Sequence, residues 1–282
     1  MTAVQQLKQY PWRIWMRQLS TIVRMELRKS LFRWRSAWIY LVALAPVVVI
    51  GIHTLVDHQT RDGMREDIVV LAGIFHFYYL RLAIFFGCLG IFTRLIRGEM
   101  VERSLHYYLL APVRRELLVI GKFIAGVTTS VMVFGTAVFM ATALMYLRFG
   151  QKGMQFLTDG PGAYHMKAYL GITVLACLGY GAVFLALSMV FKNPIVPAII
   201  FYGWEAINPV VSPLMQKFSI TFYLRHLSPV DVPANGIFAL LTVVAEPVPA
   251  WAASLGVVAL TAGVLLLACY RVRKLEISYT TE

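Results

Sequence analysis

Charge is scarce in this 282-residue chain: Asp, Glu, Lys and Arg together make up 14% of it, about half the share usual in a soluble domain. So few charges cannot coat a water-exposed surface. Hydrophobic residues fill 59% and the mean hydropathy is +0.69. A short basic n-region with a small-x-small cleavage site is also missing. The first apolar run begins near Ala37, after a basic 36-residue segment, so the first span is expected to stay in the mature protein. Cysteine is nearly absent. Cys88, Cys177 and Cys269 each lie inside an apolar run, without CxxC or metal-ligand spacing, and read as small buried hydrophobes.

Catalytic signatures are lacking as well. HExxH, GxSxG and the Walker A pattern do not occur. "VIGKF" ends in Gly-Lys, but Glu116 stands where the first Gly of a phosphate loop belongs, and Phe123 replaces Ser/Thr. The six histidines, His53, His58, His76, His106, His165 and His226, are scattered and pair with no His or Cys at ligand spacing. The expectation is no metal site, no catalytic residues and no enzyme activity on this chain.

What the chain has is long apolar runs. About 20 apolar residues cross a hydrocarbon core of about 30 Å, and a β-barrel would instead show short alternating segments. The fold class expected is an all-α polytopic membrane protein with six transmembrane helices, at 37–56, 78–96, 123–147, 168–191, 195–211 and 251–270. Pro46 is expected to kink the first. A short interfacial helix is expected at 69–77, which leaves His76, Tyr78, Tyr79 and Arg81 near the outer interface. Residues 1–36 form an N-terminal interfacial helix, 37–270 the membrane domain and 271–282 a tail. The mixed segment 212–250 is expected to hold short external re-entrant or interfacial helices.

The net charge of +12 is a topology signal. With both termini inside, 18 Lys/Arg fall on inner segments and 8 on outer ones, as the positive-inside rule requires. Nucleic acid is therefore not an expected partner. The lipid bilayer is.

In the N-terminal segment, Trp12, Trp15, Met16, Leu19, Ile22, Val23 and Leu27 gather on one face, beside Arg13, Arg17, Ser20, Arg24 and Arg28. Such a helix lies in the membrane interface. It is either an anchor alone or one that also touches a cytoplasmic partner. Glu26 falls inside the apolar arc and so requires a partner, an Arg or another subunit. A second carboxylate in apolar surroundings is Glu205, in "FYGWEAINPVV". It lies about 15 Å into the fifth span, with Asn208 one turn on. Two readings stand for it: a pathway-lining or coupling carboxylate, or a structural one, hydrated or paired with Arg81 or Arg225.

Between the second and third spans lies "RGEMVERSLHYYLLAPVRRELLVIGK". Gly98 releases the chain. Glu99 and Glu102 suit a helix N-terminus, Met100 adds apolar area, and Arg103 and His106 complete a polar side. Pro112 ends the helix at Ala111, and Arg114, Arg115 and Lys122 are expected near the lipid headgroups. This stretch resembles the signature of ABC-2 type transporter permeases: Glu99, Glu102, Leu110, Pro112, Val113, Arg115, Gly121 and Lys122 match it, while Arg103-Ser104 replaces the usual Gly-Thr. "VRMELRKSLFRWRSAW" is similar to the connecting helix of that family.

The resemblance implies the membrane-spanning permease subunit of an ATP-driven transporter, expected to be an exporter in a bacterial inner (cytoplasmic) membrane with both termini cytoplasmic. A separate ABC ATPase subunit would bind ATP and Mg, leaving no cofactor on this chain. A coupling helix at about 98–111 would contact that ATPase through Glu99, Met100, Glu102, Arg103 and His106, and a second permease copy would complete a homodimer. The competing hypothesis is a self-contained secondary transporter or channel using Glu205, with Asn208 and Arg81 on its pathway. A membrane enzyme or assembly factor is the third.

Overall fold

The computed structural model describes residues 11–32, 37–56, 63–101, 114–230 and 248–273, and among them every regular element is a helix. In chain order these are α1 (Pro11–Phe32), α2 (Ala37–Val56), α3 (Met64–Gly98), α4 (Arg115–Leu147), α5 (Gln151–Thr158), α6 (Gly162–Val190), α7 (Ile195–Ile207), α8 (Pro213–Gln216), α9 (Ile220–His226) and α10 (Ala250–Arg273). Five of them, α2, α3, α4, α6 and α10, are long and apolar enough to cross a membrane.

The expected fifth span is shorter than the others. α7 has 13 residues and continues only as the 3-10 turn Asn208–Val210. It rises about 20 Å at 1.5 Å per residue, less than a hydrocarbon core. Pro209 stops it, because it has no N–H to continue the helical hydrogen-bond ladder, and Pro213 opens the next short helix.

Residues 69–77 do not form a separate interfacial helix. α3 runs unbroken for 35 residues, roughly 50 Å. No proline interrupts it, and it absorbs its extra length by widening into π-helical geometry at Ile74–Ile84 and again at Arg94–Gly98. Such widening is rare and re-aims side chains. The first wide stretch carries Arg81, and the second delivers Glu99.

α2 contains Pro46. A proline has no N–H, so the carbonyl four residues back loses its helical donor. That carbonyl belongs to Val42, and it accepts a 2.9 Å hydrogen bond from the Tyr78 hydroxyl of α3. The hydroxyl of the half-buried Tyr78 thus joins α3 to α2.

α3, α4 and α6 form the centre of the bundle. Phe92 is fully buried where α3 meets two glycines: a Cβ on Gly126 of α4 would come within 2.5 Å of its ring, and one on Gly181 of α6 within 2.4 Å. Both positions therefore exclude side chains so that three helices can close on one aromatic. At one end, Arg148 Nη1 pairs with Asp67 Oδ2 at 3.1 Å, joining the end of α4 to the start of α3. α7 packs on the bundle through Phe85, whose ring lies 5.1 Å from Tyr202, 5.2 Å from Tyr180 and 4.9 Å from Phe184.

Candidate functional site

At the opposite end from Arg148, α1 lies along α4. Leu19, Ile22, Glu26 and Lys29 recur at three- and four-residue spacing and share one face of α1. Ile22 is buried against Gly121, where an added Cβ would meet Ile22 Cγ2 at 2.8 Å. The missing side chain at Gly121 lets the two helices touch. One turn further along α1, and one residue further along α4, the same approach brings Glu26 to Lys122.

Lys122, expected near the lipid headgroups, is enclosed by protein at 1% exposure. Its Nζ lies 2.7 Å from Glu26 Oε1 and 2.8 Å from Glu99 Oε2. The partner that Glu26 required is therefore this lysine. Lys29 Nζ, half-exposed, reaches Glu99 Oε1 at 3.5 Å. Two carboxylates and two ammonium groups from α1, α4 and the end of α3 thus form one neutral cluster. Burial pushes the Glu99 carboxyl above its ordinary value, Lys122 pulls it back, and the neighbouring Glu26 charge pushes it up again. Desolvated charges of this kind cost several kcal/mol each unless paired, so the cluster holds only while all three elements stay in contact.

The structure turns Glu99 inward, which corrects its expected place on a partner-facing surface: it is 7% exposed because the π-helical widening ahead of it aims it at Lys122. Met100 follows, half-buried, with Arg97 Nη1 donating toward its Sδ at 3.5 Å. Residues 99–101 continue as a single helical turn. The rest of the expected coupling helix, with Glu102, Arg103, His106 and Pro112, lies outside the described residues. Where the chain resumes, Arg114 stacks its guanidinium 4.1 Å from the Trp15 ring of α1, an interaction of about 0.5–1 kcal/mol at an exposed site. Arg115 opens α4. Trp12, Arg17 and Arg24 lie on the exposed side of α1. Both flanks of residues 102–113 are therefore tied to the same helix, by Lys29 on one side and Trp15 on the other.

A second polar cluster surrounds Glu205, which is 5% exposed. Its carboxylate accepts from Ser219 Oγ at 2.8 Å and from the backbone N–H groups of Ile220 and Thr221 at 3.0 Å each. These groups open α9, so Glu205 caps that helix from across the fold. Asn208 Nδ2 reaches the Gln216 carbonyl at 3.4 Å. Arg81, Tyr180, Tyr202, Glu205 and Thr221 line a small cavity of about 10 Å³, the size of one water site. Arg225 sits one turn beyond Thr221. Its protonated form is disfavoured by burial and then by the like charge of Arg81. The sequence signalled Glu205 by its apolar surroundings but not Ser219, whose role depends on a 14-residue return of the chain.

Long apolar helices packed around buried, paired charges define an integral membrane protein. The family model for ABC-2 family transporter protein matches residues 22–203, well over half of the chain, and the chain belongs to that family. Glu26, Lys29, Glu99, Gly121 and Lys122 all fall within the matched range, and Glu205 lies just beyond it. No curated protein matches the chain.

Proposed function

We propose that this chain is the permease subunit of an ATP-driven exporter and moves its substrate by alternating access. A separate ATPase subunit binds ATP and Mg and grips residues 102–111 through Glu102, Arg103 and His106. A second copy of the permease completes the transporter. Both termini face the cytoplasm of a bacterial inner membrane, the side favoured by the excess of Lys and Arg.

The observation that carries the coupling is the double attachment of residues 102–113 to α1. Glu99 and Lys122 tie one flank, and Arg114 with Trp15 ties the other. A load applied to that segment then moves α1, α3 and α4 together. In this reading Glu99 holds the lever and does not touch the ATPase.

The test is reconstitution with the ATPase that co-purifies with the chain. Arg103→Ala/His106→Ala protein should assemble yet lose most of the substrate-stimulated ATP hydrolysis, while inverted vesicles of the wild type accumulate substrate. Undiminished stimulation in that variant removes the coupling role. The competing reading, a gradient-driven carrier working through Glu205, has less support because three donors already occupy that carboxylate. Flux through the purified chain alone, driven by an ion gradient, would restore it.

A further inference from the structure

Arg81 is a charged side chain inside a helix long and apolar enough to cross a membrane, and such groups are costly unless paired. It projects from the wide π-helical stretch of α3 and packs against the Phe77 ring at 5.6 Å. Among the described residues it has no ion pair and no hydrogen bond. It does line the small cavity of about 10 Å³ beside Glu205, together with Tyr180 and Thr221. Arg81 and Glu205 carry opposite charges, so the cavity wall is neutral as a whole.

The polar groups around this cavity are not all used. A carboxylate offers about four acceptor positions, and Ser219, Ile220 and Thr221 fill three of those on Glu205. Oε2 takes the Ser219 hydroxyl and the Thr221 N–H, and Oε1 takes only the Ile220 N–H. The remaining position is therefore on Oε1. The Tyr180 and Thr221 hydroxyls share one hydrogen bond of 3.0 Å, so one of their two O–H protons is left to donate. The Arg81 guanidinium adds N–H donors. A molecule bound here must accept from Arg81 and from a hydroxyl, and donate to Glu205. An anion would face the carboxylate, and a metal cation would face the guanidinium. Water meets both demands, makes about three hydrogen bonds in buried sites, and fits the volume.

We propose that Arg81 is the counter-ion of Glu205 and reaches it through one bound water. Arg81 is then a positioning residue: it neutralises the carboxylate that holds Ser219 and the first N–H groups of α9. The bridge fastens the wide stretch of α3, where π-helical geometry re-aims side chains, to α7 and to the start of α9. It rests on the arrangement of these side chains and holds with or without ATPase coupling.

The test is a double-mutant cycle on the full chain in phosphatidylcholine nanodiscs, read by thermal unfolding and by hydrogen–deuterium exchange. Arg81→Met should lower the melting temperature, because Glu205 then lacks its counter-charge. It should also speed exchange over residues 219–226 while α4 stays protected, which a general loss of packing would not do. In a Glu205→Gln background the same substitution should be nearly neutral in both readouts. Equal losses in the two backgrounds overturn the pairing. If Arg81→Met does not fold, the wild-type chain still decides the matter. A cryo-EM map fine enough to show ordered water should hold one peak at hydrogen-bond distance from both Arg81 and Glu205. A direct guanidinium–carboxylate contact there, or no peak between the two, overturns the bridge. Neither readout involves an ATPase, so this assignment and the permease reading fail separately.

Discussion

Lys122 Nζ lies 2.7 Å from Glu26 Oε1, joining residues 96 positions apart in the chain. Lys122 also holds Glu99, so its removal leaves two carboxylates without their buried cation. Lys122→Met is expected to cost about 3–5 kcal/mol, read as thermal unfolding in detergent. Adding Glu26→Gln and Glu99→Gln to that variant should recover most of the loss, because a neutral cluster no longer carries unpaired charge. A triple variant as unstable as Lys122→Met would show that the cost is packing and not charge.

Gly121 sets the distance at which this pair forms. Gly121→Leu should push α1 away from α4 and cost about 1–3 kcal/mol by overpacking, since even a Cβ would meet Ile22 at 2.8 Å. Ile22→Ala in the same chain opens room and should return part of that stability. The comparison is a double-mutant cycle in which an additive result argues against direct contact.

The pH response of the cluster has a defined sign. Glu99 titrates above its ordinary value of 4.5, mainly through burial. As pH rises past 4.5 the unfolded chain loses this proton first. The stability contributed by Glu99 is therefore fully present below 4.5 and falls as pH rises through the elevated folded value. Glu99→Gln should flatten that part of the profile and be milder than Lys122→Met. Melting temperatures across pH 4 to 8 for the two variants decide this.

Glu205 accepts three hydrogen bonds at the start of α9. Glu205→Gln turns one acceptor into a donor that faces other donors, and should cost about 1–3 kcal/mol. The expected sign of a structural role is that any transport loss follows the loss of folded protein. Normal stability with abolished flux would instead point to a carboxylate acting in transport.

The Tyr78 hydroxyl satisfies the Val42 carbonyl that Pro46 leaves without a helical donor. Tyr78→Phe should destabilise by about 1–3 kcal/mol. In a Pro46→Ala background the helix supplies its own N–H, and Tyr78→Phe should become nearly neutral. Equal effects in both backgrounds would mean that the hydroxyl matters for another reason.

The sequence by itself determined that this is a helical membrane protein, because runs of some 20 apolar residues have no stable place in water. It also marked Glu26 as needing a partner, since a lone carboxylate in an apolar arc cannot stay charged unaided, and left Glu205 open between a pathway role and a structural one. Five of the expected spans correspond to long helices, though the second begins at Met64 because it takes in the segment expected as a separate interfacial helix. The tertiary structure decided the rest. Glu26 finds Lys122, and Glu205 finds the start of α9, through chain returns that no local period encodes. Lys122 and Glu99 look like solvated loop charges in one dimension. They become buried once Gly121 admits α1 and α3 widens ahead of Glu99. Hydrophobic period is a local property and can be read along the chain, whereas ion pairing depends on which helices the packing brings within 3 Å.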